Sequence, residues 1–178
     1  LQLLGKHQIA NAKSAMAAIT IVSKHFLIGN KAIREGLENV SRLTGLRARF
    51  ELIHGKPDML LDVAHNPDGM KTLVSGLLSL PYKKFVIVFG IMKDKDYRSV
   101  LRHFKKLKPI IISAQPDVER ALSSVQLHAV CKEMDLHSYH ASTTRLAMKK
   151  GRKMTGSRGL LVFTGSHFLV GEVISALE

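Results

Sequence analysis

From Arg49 to the end of the chain, short runs rich in β-branched and aromatic residues alternate with longer stretches whose apolar residues recur every three or four positions. The runs 49–53, 59–63, 85–89, 110–113, 136–139 and 160–164 read as strands, because branched and aromatic side chains suit a pleated, half-buried surface. Between them helices are predicted near 68–80, 97–106, 123–134, 142–150 and 168–177, where the 3.6-residue period gathers the apolar positions on one face. Phe85-Val-Ile-Val-Phe89 and Leu160-Leu-Val-Phe163 are apolar at every position. Strands of that kind are covered on both faces, as in a parallel sheet. The order therefore predicts an α/β fold, a three-layer, Rossmann-like and mostly parallel sheet.

The first part of the chain has a different pattern. Ala12, Ala15, Met16, Ile19 and Val22 recur at helical steps and predict a helix over 11–24, and a second is predicted over 30–40 with Asn30 as its cap. Gly45 ends this periodicity. A boundary is expected at 41–45, which leaves a helical segment over 1–45 and an α/β domain over 46–178.

Composition narrows the classes. With 46% hydrophobic and 23% charged residues the chain is that of a globular protein. Its single cysteine, Cys131, excludes a disulfide scaffold and reads as a small buried apolar residue. No apolar run approaches the roughly 20 residues of a membrane span, so no membrane span is expected; a cytoplasmic protein and a monomer are separate expectations. The chain opens Leu-Gln-Leu-Leu without methionine or signal-peptide order, and a cut inside a longer protein is the expectation. Lysine and arginine outnumber acids 27 to 14, a formal charge of +13 that attracts polyanions. The basic clusters at 105–108 and 149–158 lie beside predicted helix ends without groove-reading partners. They read as solvated faces, and nucleic acid is not expected as the main partner.

In open α/β sheets, ligands bind beyond the carboxyl ends of the strands. Most of the chemically capable residues stand at those ends. Asp62-Val-Ala-His65-Asn66-Pro67-Asp68-Gly69 leaves a strand and enters a helix, presenting a carboxylate, an imidazole and an amide side by side. A carboxylate can accept from two ribose hydroxyls, and an imidazole can lie against a base or meet a carboxylate. The plainer alternative is that Asp62 or Asn66 merely caps the helix. Ser166 has the same two readings, and the Lys95-Asp96 pair reads either as a ligand contact with a helix cap or as a surface pair. The histidines outside this turn show no metal-ligand spacing, and no metal site is expected.

Five elements in order carry a resemblance. They are Gly5-Lys-His7-Gln8-Ile-Ala-Asn11-Ala, Arg47-Ala48-Arg49-Phe50-Glu51, the Asp62 to Gly69 octet, Phe89-Gly90-Ile-Met92-Lys93-Asp94-Lys95-Asp96, and Thr164-Gly165-Ser166-His-Phe168-Leu169-Val170-Gly171-Glu172. Together they resemble the folylpolyglutamate synthase and dihydrofolate synthase family of the Mur ligase group, in its carboxy-terminal portion. One departure stands out: Ala48 replaces the family's glycine before its arginine, so the functional arginine could be Arg47 or Arg49, with spacing favouring Arg49.

The resemblance implies an ATP-dependent ligase that joins L-glutamate to folate or dihydropteroate through an acyl phosphate. It implies catalytic roles for Asp62 and His65, nucleotide contacts from Arg49, Asp62, His65 and Asn66, and glutamate contacts from Arg49, His65, Lys95 and Ser166. ATP and Mg2+ are the implied cofactors. The phosphate loop that such chemistry needs, Gly-x-x-x-x-Gly-Lys followed by Ser or Thr, does not occur in this chain. The resemblance places it and the Mg2+ ligands in a missing amino-terminal ATPase portion, so this chain is expected to be inactive alone, with a hinge near 43–47. A Mur-type ligase acting on a peptidoglycan precursor, and a basic nucleic-acid-binding module, are the alternative readings.

Overall fold

In the computed structural model the apolar runs form one six-stranded sheet, mostly parallel, with helices on both sides. Its strands are β1 (Glu51–Ile53), β2 (Asp58–Leu61), β3 (Phe85–Phe89), β4 (Ile110–Ala114), β5 (Ser138–Ala141) and β6 (Leu160–Thr164), in the order β1-β2-β6-β3-β4-β5. All residues are described except Leu4 and the side chains of Lys6 and His7. The chain divides into two units, Leu1–Glu51 and Leu52–Glu178.

The first unit contains α1 (Lys6–Val22), α2 (Asn30–Glu38) and α3 (Val40–Thr44). α1 begins five residues before the predicted start at Asn11. The predicted helix over 30–40 is divided at Asn39, whose φ of −128° departs from helical values. The Asn39 side-chain amide donates to Glu35 O at 3.0 Å, the local competition with helix backbone that asparagine offers. Gly45 closes α3 at φ 69°. The apolar residues Ile9, Ile21 and Val22 of α1 are exposed, Ile21 by 65%.

The second unit adds α4 (Pro67–Leu78), α5 (Tyr97–Phe104), α6 (Ser124–Glu133), α7 (Thr144–Thr155) and α8 (His167–Leu177). Each has a side-chain cap at its start: Asn66, Asp96, Ser123, Thr143 and Ser166 each accept from the backbone N–H three residues on, in the first turn of the helix. Such a cap is worth about 1 kcal/mol. The ladders β2–β6, β6–β3, β3–β4 and β4–β5 are parallel, so each requires a crossover. α4, α5 and α6 carry the chain in one direction across the sheet, and α7 brings it back to β6. Right-handed crossovers place the first three on one face and α7 on the other. Accordingly α4 packs on α5, while α7 packs on β3 to β6 and on α8.

The core lies on both sides of β3 and β6, which are buried at every position. Phe89 and Phe104 meet edge to face at 5.3 Å. Burying each large apolar side chain of this kind contributes roughly 1.5–3 kcal/mol. Three of the strand limits that differ from the sequence expectation by two residues have a local cause. β1 starts at Glu51 because Ala48 and Phe50 hold positive φ, 59° and 54°, which breaks extended backbone. β2 ends at Leu61, since Asp62 turns the chain. β5 starts at Ser138, because Leu136 N closes α6 by donating to Cys131 O at 2.9 Å.

Among the described residues no helix is long and apolar enough to cross a membrane. Gly165, at φ 108°, permits a close approach: a Cβ there would lie 2.5 Å from Gly90 O and 2.6 Å from the Phe89 ring. Gly165→Ala should therefore lower stability by roughly 2–4 kcal/mol, from strain plus overpacking, measured as a shift of the urea midpoint. A change within experimental error would contradict this close contact. Burial pushes the Cys131 thiol up to about 11 from 9.0. Because the folded state disfavours the thiolate, stability is complete below pH 9 and falls as pH rises from 9 towards 11. In a thiol-labelling assay at pH 8, Cys131 should react only after urea is added; rapid labelling of the folded chain would refute its burial.

Candidate functional site

β2, β6 and β3 are neighbours, and their carboxyl ends release three loops side by side. The first runs from Asp62 to Asn66, the second from Gly165 to Ser166 and the third from Gly90 to Asp96. β6 lies between β2 and β3 although it is last in the chain, so strand order reverses beside it. Crevices at such reversals are the usual ligand sites of open α/β sheets.

The β2 loop is held by its own polar groups. Asp62 Oδ1 accepts from Ala64 N at 2.8 Å, which aims the half-buried carboxylate. His65 Nδ1 lies 2.9 Å from Val63 O. A carbonyl can only accept, so Nδ1 carries a proton, which leaves Nε2 as the acceptor of the neutral tautomer. Asn66 Oδ1 accepts from Gly69 N at 2.8 Å and caps α4, with Pro67 in its first turn and Asp68 beside the positive end of the helix dipole. The capping alternative thus holds for Asn66, whereas Asp62 bonds within the loop.

The β6 loop is tied to it. Thr164 Oγ1 donates to Ala64 O at 3.3 Å, and Asp62 N donates to Phe163 O at 3.1 Å. Ser166, 3% exposed, accepts from Leu169 N at 3.1 Å and caps α8; its hydroxyl proton is not used in that bond. The parallel register also brings in a residue that was not assigned from sequence. Leu61 pairs with Phe163, and His65 and His167 each lie four positions further on. Their rings meet with centroids 5.6 Å apart and planes tilted by 52°. The register of β2 on β6 was the signal for His167, and the sequence does not display that register.

In the β3 loop, Lys95 Nζ is 2.8 Å from Asp94 Oδ2, and this ammonium holds the Asp94 carboxyl below its ordinary value. Asp96 accepts from Ser99 N at 3.1 Å and caps α5, as expected for it. The loop is clipped to the one after β4 by a bridge between Met92 and Ala121, and Lys93 Nζ donates to Glu119 O at 3.0 Å. The Arg120 guanidinium covers the Phe168 ring at 5.3 Å, a second pairing that sequence spacing did not suggest.

Arg47 and Arg49 belong to the first unit. Arg47 Nε donates to Glu51 Oε1 at 2.7 Å, while Glu51 Oε2 accepts from Ala48 N at 2.7 Å. Arg49 is exposed. Ala48, at the position where the resembled family has glycine, adopts a φ of 59°, the left-handed region that glycine enters without steric cost. Of the helical element near the start of the chain, Asn11 Nδ2 donates to Gln8 Oε1 at 2.9 Å, and the His7 side chain lies outside the described residues. The described residues contain no group of three or more His, Cys, Asp or Glu able to hold a metal ion.

The chain matches known proteins over most of its length. The profile of the family described as "Mur ligase, glutamate ligase domain" matches residues 48–167. A Bacillus subtilis dihydrofolate synthase/folylpolyglutamate synthase is 25% identical over 179 residues, 99% of this chain and 40% of that protein. A Wolinella succinogenes UDP-N-acetylmuramoyl-L-alanyl-D-glutamate–2,6-diaminopimelate ligase is 32% identical over 94 residues, 53% of this chain and 20% of that protein. A solved folylpolyglutamate synthase/dihydrofolate synthase with Mn, AMPPNP and L-glutamate bound has the same fold, with TM-score 0.80 and 27% identity over 95% of this chain and 39% of that one. The chain thus spans well under half the length of these relatives. With the family profile covering residues 48–167, the chain belongs to the Mur ligase family as a glutamate ligase domain.

Proposed function

We propose that this chain is the carboxy-terminal part of an ATP-dependent ligase that adds L-glutamate to folate or dihydropteroate. The observation that carries the reading is the joined pair of loops beyond β2 and β6, which carry Asp62, His65 and Ser166. The match to a folylpolyglutamate synthase runs the length of the chain, whereas the match to a diaminopimelate ligase covers about half of it. That difference favours a folate substrate over a peptidoglycan precursor.

In this reading residues 1–45 are the end of the central ATPase domain, and 46–178 the glutamate ligase domain. The exposed apolar face of α1 supports the first assignment, since such a face is ordinarily covered. The donor set suits a nucleotide. The aimed carboxylate of Asp62 can accept from ribose hydroxyls, with His65 and Asn66 beside it. Arg49 reaches a phosphate or carboxylate, for which its planar guanidinium provides paired donors; Arg47 is engaged by Glu51. Lys95 and the Ser166 hydroxyl meet the carboxylates of glutamate. His65 Nε2 accepts from the incoming amino group, which orients the nitrogen lone pair for attack.

The chemistry is an acyl transfer. The substrate carboxylate is first converted to an acyl phosphate; the glutamate nitrogen bonds its carbonyl carbon, phosphate leaves with the former C–O bonding pair, one N–H proton passes to the departing phosphate, and an amide remains. ATP supplies the phosphoryl group, and Mg2+, held by residues outside this chain, offsets its charge. Closure about a hinge near 43–47 brings these residues to the nucleotide and excludes water that would hydrolyse the intermediate. The enzyme works as a cytoplasmic monomer.

The test is steady-state kinetics on the whole ligase that contains this sequence, with glutamate-dependent ADP release as readout. Asp62→Ala and His65→Ala should each lower kcat/KM by about 10²-fold, the usual cost of misplacing a reactant. The 178-residue chain by itself should release no ADP, having no phosphate loop. Undiminished activity in both variants, or turnover by the isolated chain, would rule the proposal out.

A further inference from the structure

The two basic clusters of the sequence are 40 residues and more apart, yet the fold gathers them at one end of the sheet. The residues that lead into β2, β6, β3 and β4 lie at its amino-terminal edge, away from the loops of the candidate site. The register sets Asp58 beside Leu160, Leu160 beside Phe85, and Val86 beside Ile110. Just before these positions stand Lys56, Arg158, Lys83 with Lys84, and Lys108. The four lead-in segments, 54–58, 152–160, 79–85 and 105–110, contain nine lysines and arginines and a single acid. That acid, Asp58, is already engaged: Tyr82 OH donates to it at 2.5 Å and Gly55 N at 2.9 Å.

Part of this charge has a structural account. Arg152 and Lys153 sit in the last turn of α7, and Lys84 Nζ donates to Met154 O at 2.6 Å, where the helix dipole favours a cation. Lys56, Lys83, Lys108 and Arg158 are all exposed and have no such role. Each stands two residues before the start of one of four adjacent strands, β2, β6, β3 and β4. In the middle of the row is a groove of about 480 Å³ lined by Pro81, Lys83, Lys84 and residues 155–159.

We propose that this edge binds the phosphodiester backbone of single-stranded nucleic acid, by charge and without reading bases or sugars, with RNA oligomers as the probe. A row of cations suits a linear chain of phosphates. Among the described residues no aromatic ring lines the groove; of the rings in the lead-in segments, Tyr82 is half-buried with its hydroxyl on Asp58, and His54 lies 3.5 Å from the same carboxylate. Among the described residues Leu78 is the exposed large apolar side chain nearest these segments in sequence. A membrane or an acidic protein would need more apolar surface than that to seat.

The experiment is fluorescence anisotropy of labelled 12-nucleotide oligo(U) and oligo(A) with the 178-residue chain. With four phosphates neutralised, Kd should be on the order of 10 µM at 50 mM KCl and weaken about 60-fold by 200 mM, a log–log slope near −3. Both oligomers should bind alike. Lys83→Ala with Arg158→Ala should cost about 10-fold and flatten the slope to about −1.5. The matched pair Lys71→Ala with Arg145→Ala, on other faces, should change affinity less than 2-fold. If the first pair fails to fold by circular dichroism, Lys56→Ala with Lys108→Ala takes its place with the same expectation. No binding at 50 mM KCl, equal losses in the test and control pairs, or a strong preference for one base would overturn the proposal. So would stronger binding to anionic lipid vesicles than to RNA. Asp62→Ala should leave RNA binding unchanged, so failure here is separable from failure of the ligase reading.

Discussion

Everything in the second unit depends on β6 pairing in parallel with β2 on one side and β3 on the other. Only strands without polar side chains facing the layers can occupy that place, because helices cover both faces and water is excluded. Phe85-Val-Ile-Val-Phe89 and Leu160-Leu-Val-Phe163 meet the requirement at every position. Once β6 is inserted, Asp62 comes level with Thr164, one residue before Gly165, and Thr164 can tie the two loops together. The site is thus a by-product of core packing, assembled where the buried pairing stops.

The same insertion explains the glycine at 165. The β6 loop must turn within van der Waals reach of Phe89 and Gly90, which leaves no room for a Cβ and calls for positive φ. Ala48 is the contrasting case. It stands in the left-handed region with a methyl group present, a conformation that costs an L-residue about 1–2 kcal/mol. The carboxylate of Glu51, shared between Ala48 N and the Arg47 guanidinium, offsets part of that cost.

In the proposed function the capping residues serve both folding and chemistry. Ser166 and Asn66 each accept a backbone N–H at a helix start. The cap fixes the side chain beside the positive end of a helix dipole, a position suited to anionic ligands. For these residues the structural and functional readings are compatible, since a cap occupies an acceptor site of the side chain and leaves its donors available.

The sequence by itself determined the fold class, the identity of most strands and helices, and the Asp62 to Asn66 turn, because periodicity, caps and turn chemistry are local properties. It erred by one or two residues at strand ends such as Leu61 and Ser138, where pairing competes with side-chain bonds from Asp62 or a helix closure at Leu136. It did not reveal His167 beside His65, the Arg120 cover on Phe168, or the gathering of Lys56, Lys83, Lys108 and Arg158 along one edge. Those neighbours are set by strand order and register. Both arise from long-range packing of β6 between β2 and β3, for which no spacing along the chain is a substitute.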